Sequence, residues 1–134
     1  MPDKFSFSKI FNNLENAISI TQKRNDVIVS NISNIDTPGY RPKDINFKAA
    51  MARALETDHE PNLARTNPKH IDLKMGPQGI EPFEEKSEWN GYNWVNIDKE
   101  MTKLTENNLM YRATVETLLR KIAIIKEVIR EGGR

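Results

Sequence analysis

The two histidines of the chain lie near acidic residues, a combination that can hold a metal ion. His59 is flanked by Asp58 and Glu60, and His70 lies two residues before an aspartate. A protein metal site needs such side chains at a spacing fixed by a helix or strand, with hydrogen-bonding groups behind them. Residues 57–93 are rich in proline and glycine, and we see neither requirement in them. We therefore interpret both histidines as surface residues. The alternative, a metal-dependent enzyme, predicts stoichiometric metal in the purified protein.

No other pattern in the sequence is typical of an enzyme. It has no glycine-rich phosphate loop, no nucleophile elbow and no Ser/His/Asp set on a plausible scaffold. Glu84, Glu85 and Glu88 form an acidic stretch that we interpret as solvated. Cysteine is absent, which excludes thiol chemistry, disulfides and cysteine zinc sites. We expect no catalysis, no cofactor and no small-molecule substrate.

Composition excludes further classes of function. The net charge of the 134 residues is +1, whereas nucleic-acid binding normally needs a concentrated basic excess, so we expect no nucleic-acid partner. No apolar run approaches the roughly 18 residues of a membrane span. The first residues lack the apolar block of a cleaved secretory signal, so we expect the protein to stay in the cytoplasm unless a dedicated exporter takes it uncleaved.

An apolar stripe runs through the N-terminal arm, residues 1–36. Its positions alternate spacings of four and three residues, which is the period of a coiled-coil helix. We expect Ser6 or Ser8 to cap the start of this helix and Pro38 to set its end. The side chains that we assign to an assembly seam on this arm are Phe11, Leu14, Ile18, Ile28, Ile32 and Ile35.

The C-terminal arm, residues 95–134, has the same period and should end at Gly132. Asn25 and Asn108 interrupt the two stripes. Either they fix the register of the helices, as a buried asparagine can, or they are solvated. The seam that we assign to this arm is Met101, Leu104, Tyr111, Val115, Leu118, Ile122, Ile125 and Ile129.

The last turns of this arm are apolar around more than half of the helix, because Leu119, Ile124 and Val128 flank the seam. One partner helix covers only one stripe. The wider face needs several neighbours or a membrane surface. We favour neighbouring subunits, because glutamates are interspersed with the basic residues of this arm.

Between the arms we predict a turn with a short helix, residues 37–56, and then a flexible loop, residues 57–94. Pro38 and Gly39 occupy the central positions of a type II turn, and Asp44 is a candidate N-cap for the short helix.

Within the loop, residues 71–75 alternate and are candidates for a short strand, which Gly79 to Phe83 would close into a hairpin. Much of the remainder is polar enough to be mobile or to order only on assembly. Three aromatic side chains lie just before the second arm. They either contact another subunit or anchor the loop on the arms. They are Trp89, Tyr92 and Trp94.

Together these patterns predict a mainly α fold. Two long terminal helices form an antiparallel coiled-coil hairpin, joined through a short helix and a Pro/Gly-rich, partly β or disordered middle segment. A two-stranded hairpin leaves its outer faces uncovered, so we expect other subunits to complete its stability.

Several segments resemble the bacterial flagellar rod and hook protein family. The run NISNIDTPGY, from Asn31 to Tyr40, resembles the N-terminal signature of that family, and residues 41–47 resemble a segment specific to its proximal-rod members. Residues 96–101 and 106–111 resemble its second conserved block. The signature residues in this chain are Asn31, Asn34, Asp36, Thr37, Pro38, Gly39 and Tyr40. Ser33 and Ile35 depart from it, standing where alanine is common.

The resemblance implies a structural component of the bacterial flagellum, the proximal rod or drive shaft of the basal body, in flagellum-dependent motility. It implies uncleaved export through the flagellar type III export apparatus and assembly in the periplasm. The partners it implies are other copies of this chain, other flagellar rod proteins and the MS-ring/rod junction protein. The alternative is a small helical adaptor or export chaperone that acts as a discrete dimer.

Overall fold

The computed structural model describes residues 4–57 and 80–133. Within them the chain forms three helices and a small antiparallel sheet, so the prediction of a mainly α fold with two long terminal helices is confirmed. The elements are α1 (Lys4–Ser33), β1 (Lys43–Asp44), α2 (Phe47–Thr57), β2 (Phe83–Glu84) and α3 (Ile97–Gly132).

The first helix differs from the prediction at both ends. It already includes Lys4, so Ser6 and Ser8 lie inside it and neither is its cap. It ends at Ser33, because the Asn34 side chain donates to the backbone oxygen of Ser30 (2.8 Å) and closes the last turn. The prediction that Ile35 lies on the helical stripe is therefore wrong; Ile35 belongs to the turn.

The short helix α2 is capped by a residue other than the predicted one. The Asn46 side-chain oxygen accepts from the backbone nitrogen of Ala49 (3.0 Å), which is the geometry of an N-cap. Asp44 instead lies on β1, where its carboxylate binds Arg24. The prediction of Asp44 as the cap is therefore wrong.

The small sheet also pairs different segments from those predicted. Phe83 pairs with Asp44, and Glu84 pairs with Lys43. The predicted strand at residues 71–75 lies outside the described residues. The sheet therefore fastens the segment that precedes α3 to the segment that follows the signature turn.

The second long helix, α3, starts at a defined cap. Asn96 accepts from the backbone nitrogen of Lys99 (3.1 Å), and Gly133 follows the last helical residue. Acidic residues in its first turn and Arg130 in its last turn suit the helix dipole. No helix in the described part of the chain is long and apolar enough to cross a membrane.

The two long helices run in opposite directions where they contact. Glu100 meets Asn31, whereas Asn107, further along α3, meets Thr21, earlier in α1. Lys4 lies 17 residues before Thr21, but Gly132 lies 25 residues after Asn107. At about 1.5 Å per residue, α3 extends roughly 12 Å beyond the start of α1. We call these last residues, 125–132, the α3 overhang.

A compact apolar core lies between α1 and the segments around α2. Ile20 is fully buried and packs with Ile45, Ala50 and Ile80. Ile20 lies outside the predicted seam, because it packs against Ile45, Ile80 and the α2 residue Ala50. This core fixes α2 and the residues near it on α1.

Candidate assembly site

Asn31 of the signature holds four groups together from one buried position. Its side-chain nitrogen donates to the backbone oxygen of Lys43 (2.7 Å) and to Glu100 Oε2 (2.8 Å). Its side-chain oxygen accepts from the backbone nitrogen of Lys43 (3.0 Å) and from the Tyr40 hydroxyl (3.3 Å). An asparagine side chain has two N–H donors and two acceptor sites, so every one is used. Asn31 thus joins α1, β1 and α3.

The rest of the signature forms the predicted type II turn. Gly39 has a φ of +70°, and the backbone nitrogen of Tyr40 donates to the backbone oxygen of Thr37 (3.3 Å). A positive φ at this position favours glycine, and proline before it presets the turn. The turn prediction at Pro38 and Gly39 is confirmed.

The segment before α3 clamps this turn. The backbone nitrogen of Gly39 donates to the Tyr92 oxygen (3.0 Å), and the backbone nitrogen of Trp94 donates to the Tyr40 oxygen (3.1 Å). Asn93, fully buried, donates from its side chain to the backbone oxygens of Ile35 and Thr37. The signature turn is therefore held by residues 92–94, which precede α3 and lie more than 50 positions further along the chain.

The aromatic residues before α3 anchor the loop and also remain partly accessible. The guanidinium of Arg41 lies 4.7 Å from the Trp94 ring centre, and the rings of Trp89 and Trp94 are 4.4 Å apart. The Tyr92 hydroxyl donates to the backbone oxygen of Asp36 (2.8 Å). Trp94 is thus an anchor, while Trp89 and Tyr92 are anchored but about half exposed.

A network of paired charges lies beneath the turn. Arg24 binds Asp44 through two nitrogens, at 2.8 and 3.0 Å. Lys103 binds Glu100 Oε1 at 2.7 Å and also binds Glu85. Glu100 is 1% exposed and also accepts from an asparagine of α1. The interpretation of Glu85 as a solvated residue is therefore wrong, because this carboxylate turns inward to two lysines.

The surroundings of these charges favour their ionised forms. Burial raises the pKa of Asp44, but hydrogen bonds from Arg24 and the Ile45 backbone, together with the charges of Arg24 and Lys103, outweigh burial and bring the net pKa below the ordinary 3.8. Burial likewise raises the pKa of Glu85, and the hydrogen bonds and charges of Lys103 and Lys99 together bring it below 4.5. Burial lowers the pKa of Lys103, but hydrogen bonds to two carboxylates bring it above 10.5.

These pKa shifts predict a stability plateau with losses at both extremes of pH. Asp44 and Glu85 stabilise the fold fully above the pKa values of 3.8 and 4.5 that they have in the unfolded chain. They lose this contribution as the pH falls through their lowered pKa values in the folded chain. Lys103 contributes fully below pH 10.5 and loses its contribution to stability as the pH rises through its raised pKa in the folded chain.

Urea unfolding across pH measures both the acid limb and the alkaline limb of this stability profile. We expect Asp44→Asn to flatten the acid limb, whereas Glu116→Gln, at an exposed pair, should leave it unchanged. If stability falls equally at acid pH in the unaltered chain and in both variants, the assignment of the acid limb to Asp44 is wrong.

At the end of α3 near the turn, a polar face rather than the predicted apolar stripe contacts α1. Glu100, Lys103 and Asn107 are buried, whereas Met101 is 48% exposed. For this end, the prediction that the apolar stripe packs against α1 is wrong. The reason is that α1 and β1 present charges and hydrogen-bonding groups here, and these require polar partners when buried.

The remaining seam residues divide by exposure. Ile28 is fully buried and Ile129 is 69% exposed. All the others are half-buried, namely Phe11, Leu14, Ile18, Ile32, Ile35, Leu104, Tyr111, Val115, Leu118, Ile122 and Ile125. Four further apolar side chains of α3 are more than half exposed, Leu109, Leu119, Ile124 and Val128. The structure thus leaves an apolar surface along α3 that this chain does not cover.

Sequence reasoning missed the residues of the buried charge network. The Glu100 and Lys103 pair was visible as an i,i+3 pair on one helix face, a spacing that brings side chains together. Arg24 and Glu85 had no such signal, because their partners lie on other elements. His59 and His70 lie outside the described residues, and the described ones contain no group of three or more His, Asp or Glu placed to hold a metal.

Known proteins are similar in sequence to this chain across both arms and the signature turn. The family described as flagella basal body rod protein matches residues 11–41, which comprise most of α1 and the signature turn. A FlgB rod protein of Bacillus subtilis is 33% identical over 94% of this chain and 97% of its own length. One of Aeromonas hydrophila is 31% identical over 93% and 96%, and one of Escherichia coli is 26% identical over 89% and 91%.

Similarity over nearly the full length of both chains places this protein among the flagellar basal body rod proteins. Within that class, the chain belongs to the FlgB family. The hypothesis of a structural rod component of the flagellar basal body is confirmed. Such proteins are structural, and the interpretation of this chain as a non-enzyme is consistent with them.

Proposed function

We propose that this chain is a subunit of the proximal rod and that its arms form an antiparallel coiled-coil hairpin covered by neighbouring subunits. The observation that supports this most is the apolar surface of α3, where Leu109, Leu119, Val128 and Ile129 are at least 60% exposed. Exposed large apolar side chains that recur along one helix are typical of an interaction surface. Subunits of a rod are the partners that such a surface fits.

The arms and the turn then have separate roles. The arms, residues 1–36 and 95–134, line the inner wall of a hollow helical tube. The turn with the short helix, residues 37–56, lies further out and fixes lateral contacts. Each subunit offers one face to a different face of the next, and such a heterologous contact propagates along a helix. Torque passes through many packed side chains at once.

The partners in this proposal are other copies of the chain, other flagellar rod proteins and the MS-ring/rod junction protein. The flagellar type III export apparatus delivers the chain uncleaved, and assembly takes place in the periplasm. The seam residues act as assembly residues, and neither the seam nor the signature takes part in chemistry. This proposal extends the rod role that relatives of the chain share.

A single charge on the exposed end of α3 tests the proposal. We expect Ile129→Asp to leave the fold intact, because this side chain is 69% exposed, and to abolish swimming in a strain that lacks its own FlgB protein. The reason is that a carboxylate buried between subunits without a partner is strongly unfavourable. Motility assays and electron microscopy of basal bodies measure the effect.

Thr117→Asp is the matched control, since Thr117 is an exposed residue of the same helix near the ion pair of Arg120 with Glu116. It adds the same charge, and we expect near-normal swimming. Normal basal bodies with Ile129→Asp would contradict the proposal. So would a stable, compact dimer in light scattering that joins no larger structure, the behaviour of an adaptor or chaperone.

A further inference from the structure

The segment before α3 contains an asparagine followed directly by a glycine, Asn90 and Gly91. Asparagine is a thermolabile residue, and this pair loses its side-chain amide more readily than other asparagine pairs. The reason is that glycine has no side chain to keep its backbone nitrogen away from the asparagine amide carbon. The reaction needs only water. A chemically labile pair therefore lies next to the residues that hold the signature turn.

The local turn requires both residues of this pair. Gly91 has a φ of +96°, a backbone conformation that favours glycine. The Asn90 side-chain oxygen accepts from the backbone nitrogens of Tyr92 (2.9 Å) and Asn93 (2.8 Å), which closes the turn. The fold therefore retains the labile pair because it needs a glycine at one position and a side-chain acceptor at the other.

The side-chain nitrogen of Asn90 connects this turn to the signature turn. It donates to Asn93 Oδ1 (2.9 Å) and to the backbone oxygen of Val95 (3.1 Å). Asn93 is fully buried and donates to the backbone oxygens of Ile35 and Thr37. Every donor and acceptor site of the Asn90 amide is thus used. The nitrogen that deamidation removes is the one that orients Asn93.

We propose that Asn90 is a deamidation site that folding keeps unreactive, and that its conversion to aspartate loosens the signature turn. The Gly91 backbone nitrogen bonds to the amide carbon of Asn90, the bond from that carbon to the side-chain nitrogen breaks, and ammonia leaves with the proton of the attacking nitrogen. Water then opens the cyclic imide to aspartate or isoaspartate. This chemistry is independent of the proposed rod assembly.

The folded chain slows this reaction, because the Asn90 amide must first leave four hydrogen bonds. Only a locally opened form reacts. The product does not replace the asparagine, since a carboxylate has acceptors alone at neutral pH. It faces two other acceptors, Asn93 Oδ1 and the Val95 oxygen, where the amide nitrogen donated. Their repulsion displaces Asn93 from the backbone oxygens of the signature turn.

Mass spectrometry of the aged full-length chain tests the protection. The purified chain is incubated at mildly alkaline pH, folded or in guanidinium chloride, and then digested. Asn90 should deamidate at least about tenfold more slowly in the folded chain, because only its locally opened form reacts. Asn93 precedes a tryptophan and is the internal control, which should react far more slowly than Asn90 in the unfolded chain. Equal rates in the folded and unfolded chains, or no preference for Asn90 in the unfolded chain, overturn the proposal.

Hydrogen exchange of Asn90→Asp tests the link to the signature turn. Exchange at the backbone nitrogens of Gly39 and Trp94 should be about tenfold faster, since both bond across the contact that Asn93 orients. Asn108→Asp makes the same chemical change at an exposed residue of α3, and it should leave both rates unchanged. Unchanged exchange in Asn90→Asp overturns the link.

Asn90→Ser is a milder second variant for the case in which Asn90→Asp unfolds the chain. Serine offers an acceptor to the same turn but has no amide nitrogen to donate and no charge. Exchange at Gly39 and Trp94 should be faster than in the unaltered chain and slower than in Asn90→Asp. Faster exchange in the serine variant supports the link to the signature turn, and exchange equal to that of the unaltered chain overturns it.

Discussion

Lys103→Met should lower the free energy of unfolding by about 3–5 kcal/mol, the usual cost of removing one member of a buried ion pair. The lysine is 7% exposed, and its main partner Glu100 is 1% exposed, so the variant leaves a buried carboxylate without its cation. Glu85 loses a partner as well. Urea unfolding of the purified chain, followed by far-ultraviolet circular dichroism, measures the change.

Two further variants distinguish the effect of the buried network from the effect of removing any positive charge. Arg120→Met removes an exposed cation that pairs with Glu116 one turn away, and it should cost about 0.5 kcal/mol or less. Adding Glu100→Leu to Lys103→Met removes the stranded charge and should recover part of the lost stability. If Lys103→Met lowers the free energy of unfolding no more than Arg120→Met does, the buried network stabilises the fold no more than an exposed ion pair.

Asn31→Leu is the second large effect, with an expected cost of about 3 kcal/mol. Leucine has a similar size but leaves the backbone groups of Lys43 and the Glu100 carboxylate without their asparagine partner. Burying such groups unpaired is costly. Because Asn31 joins the two arms to β1, the turn should also loosen. Hydrogen exchange at Lys43 and Tyr40 reports this loosening alongside the unfolding measurement.

Asn34→Leu is the matched comparison within the signature. Asn34 is only half-buried, and its side chain bonds locally to Ser30 and Thr37. Its loss should cost about 1 kcal/mol, as for a helix-end hydrogen bond, with little effect on exchange at Lys43. If Asn34→Leu and Asn31→Leu have equal effects on stability and on exchange at Lys43, Asn31 stabilises only the end of α1.

The two ends of the helix pair differ in how many of their side chains this chain itself buries and pairs. At the turn end, Asn31, Asn93 and the charge network are buried and almost fully paired. At the opposite end, Val128 and Ile129 remain more than 60% exposed on the overhang of α3. The polar groups of the turn end are therefore paired mainly within this chain. In the proposed assembly, neighbouring subunits contact the apolar side chains that α3 leaves exposed.

Periodicity alone was enough to predict the long helices, because an amphipathic stripe over nine turns has few alternative structures. The turn at Pro38 and Gly39 was equally local, since proline fixes one φ angle and glycine permits the positive φ at the next residue. The end of α3 at its glycines followed from the same local rules. The turn and the end of α3 each depend on residues that are close together in the chain.

Which face of α3 meets α1 was decided only by the tertiary structure. Hydropathy placed Met101 inside, but Glu100 and Lys103 are buried because Asn31 and Glu85, distant in sequence, supply their partners. A buried charge is tolerated only with such partners, and single-chain periodicity does not show where they come from. The sequence by itself therefore determined the helices, the turn and the family to which the chain belongs. The fold decided which polar residues join the arms and which apolar side chains remain exposed.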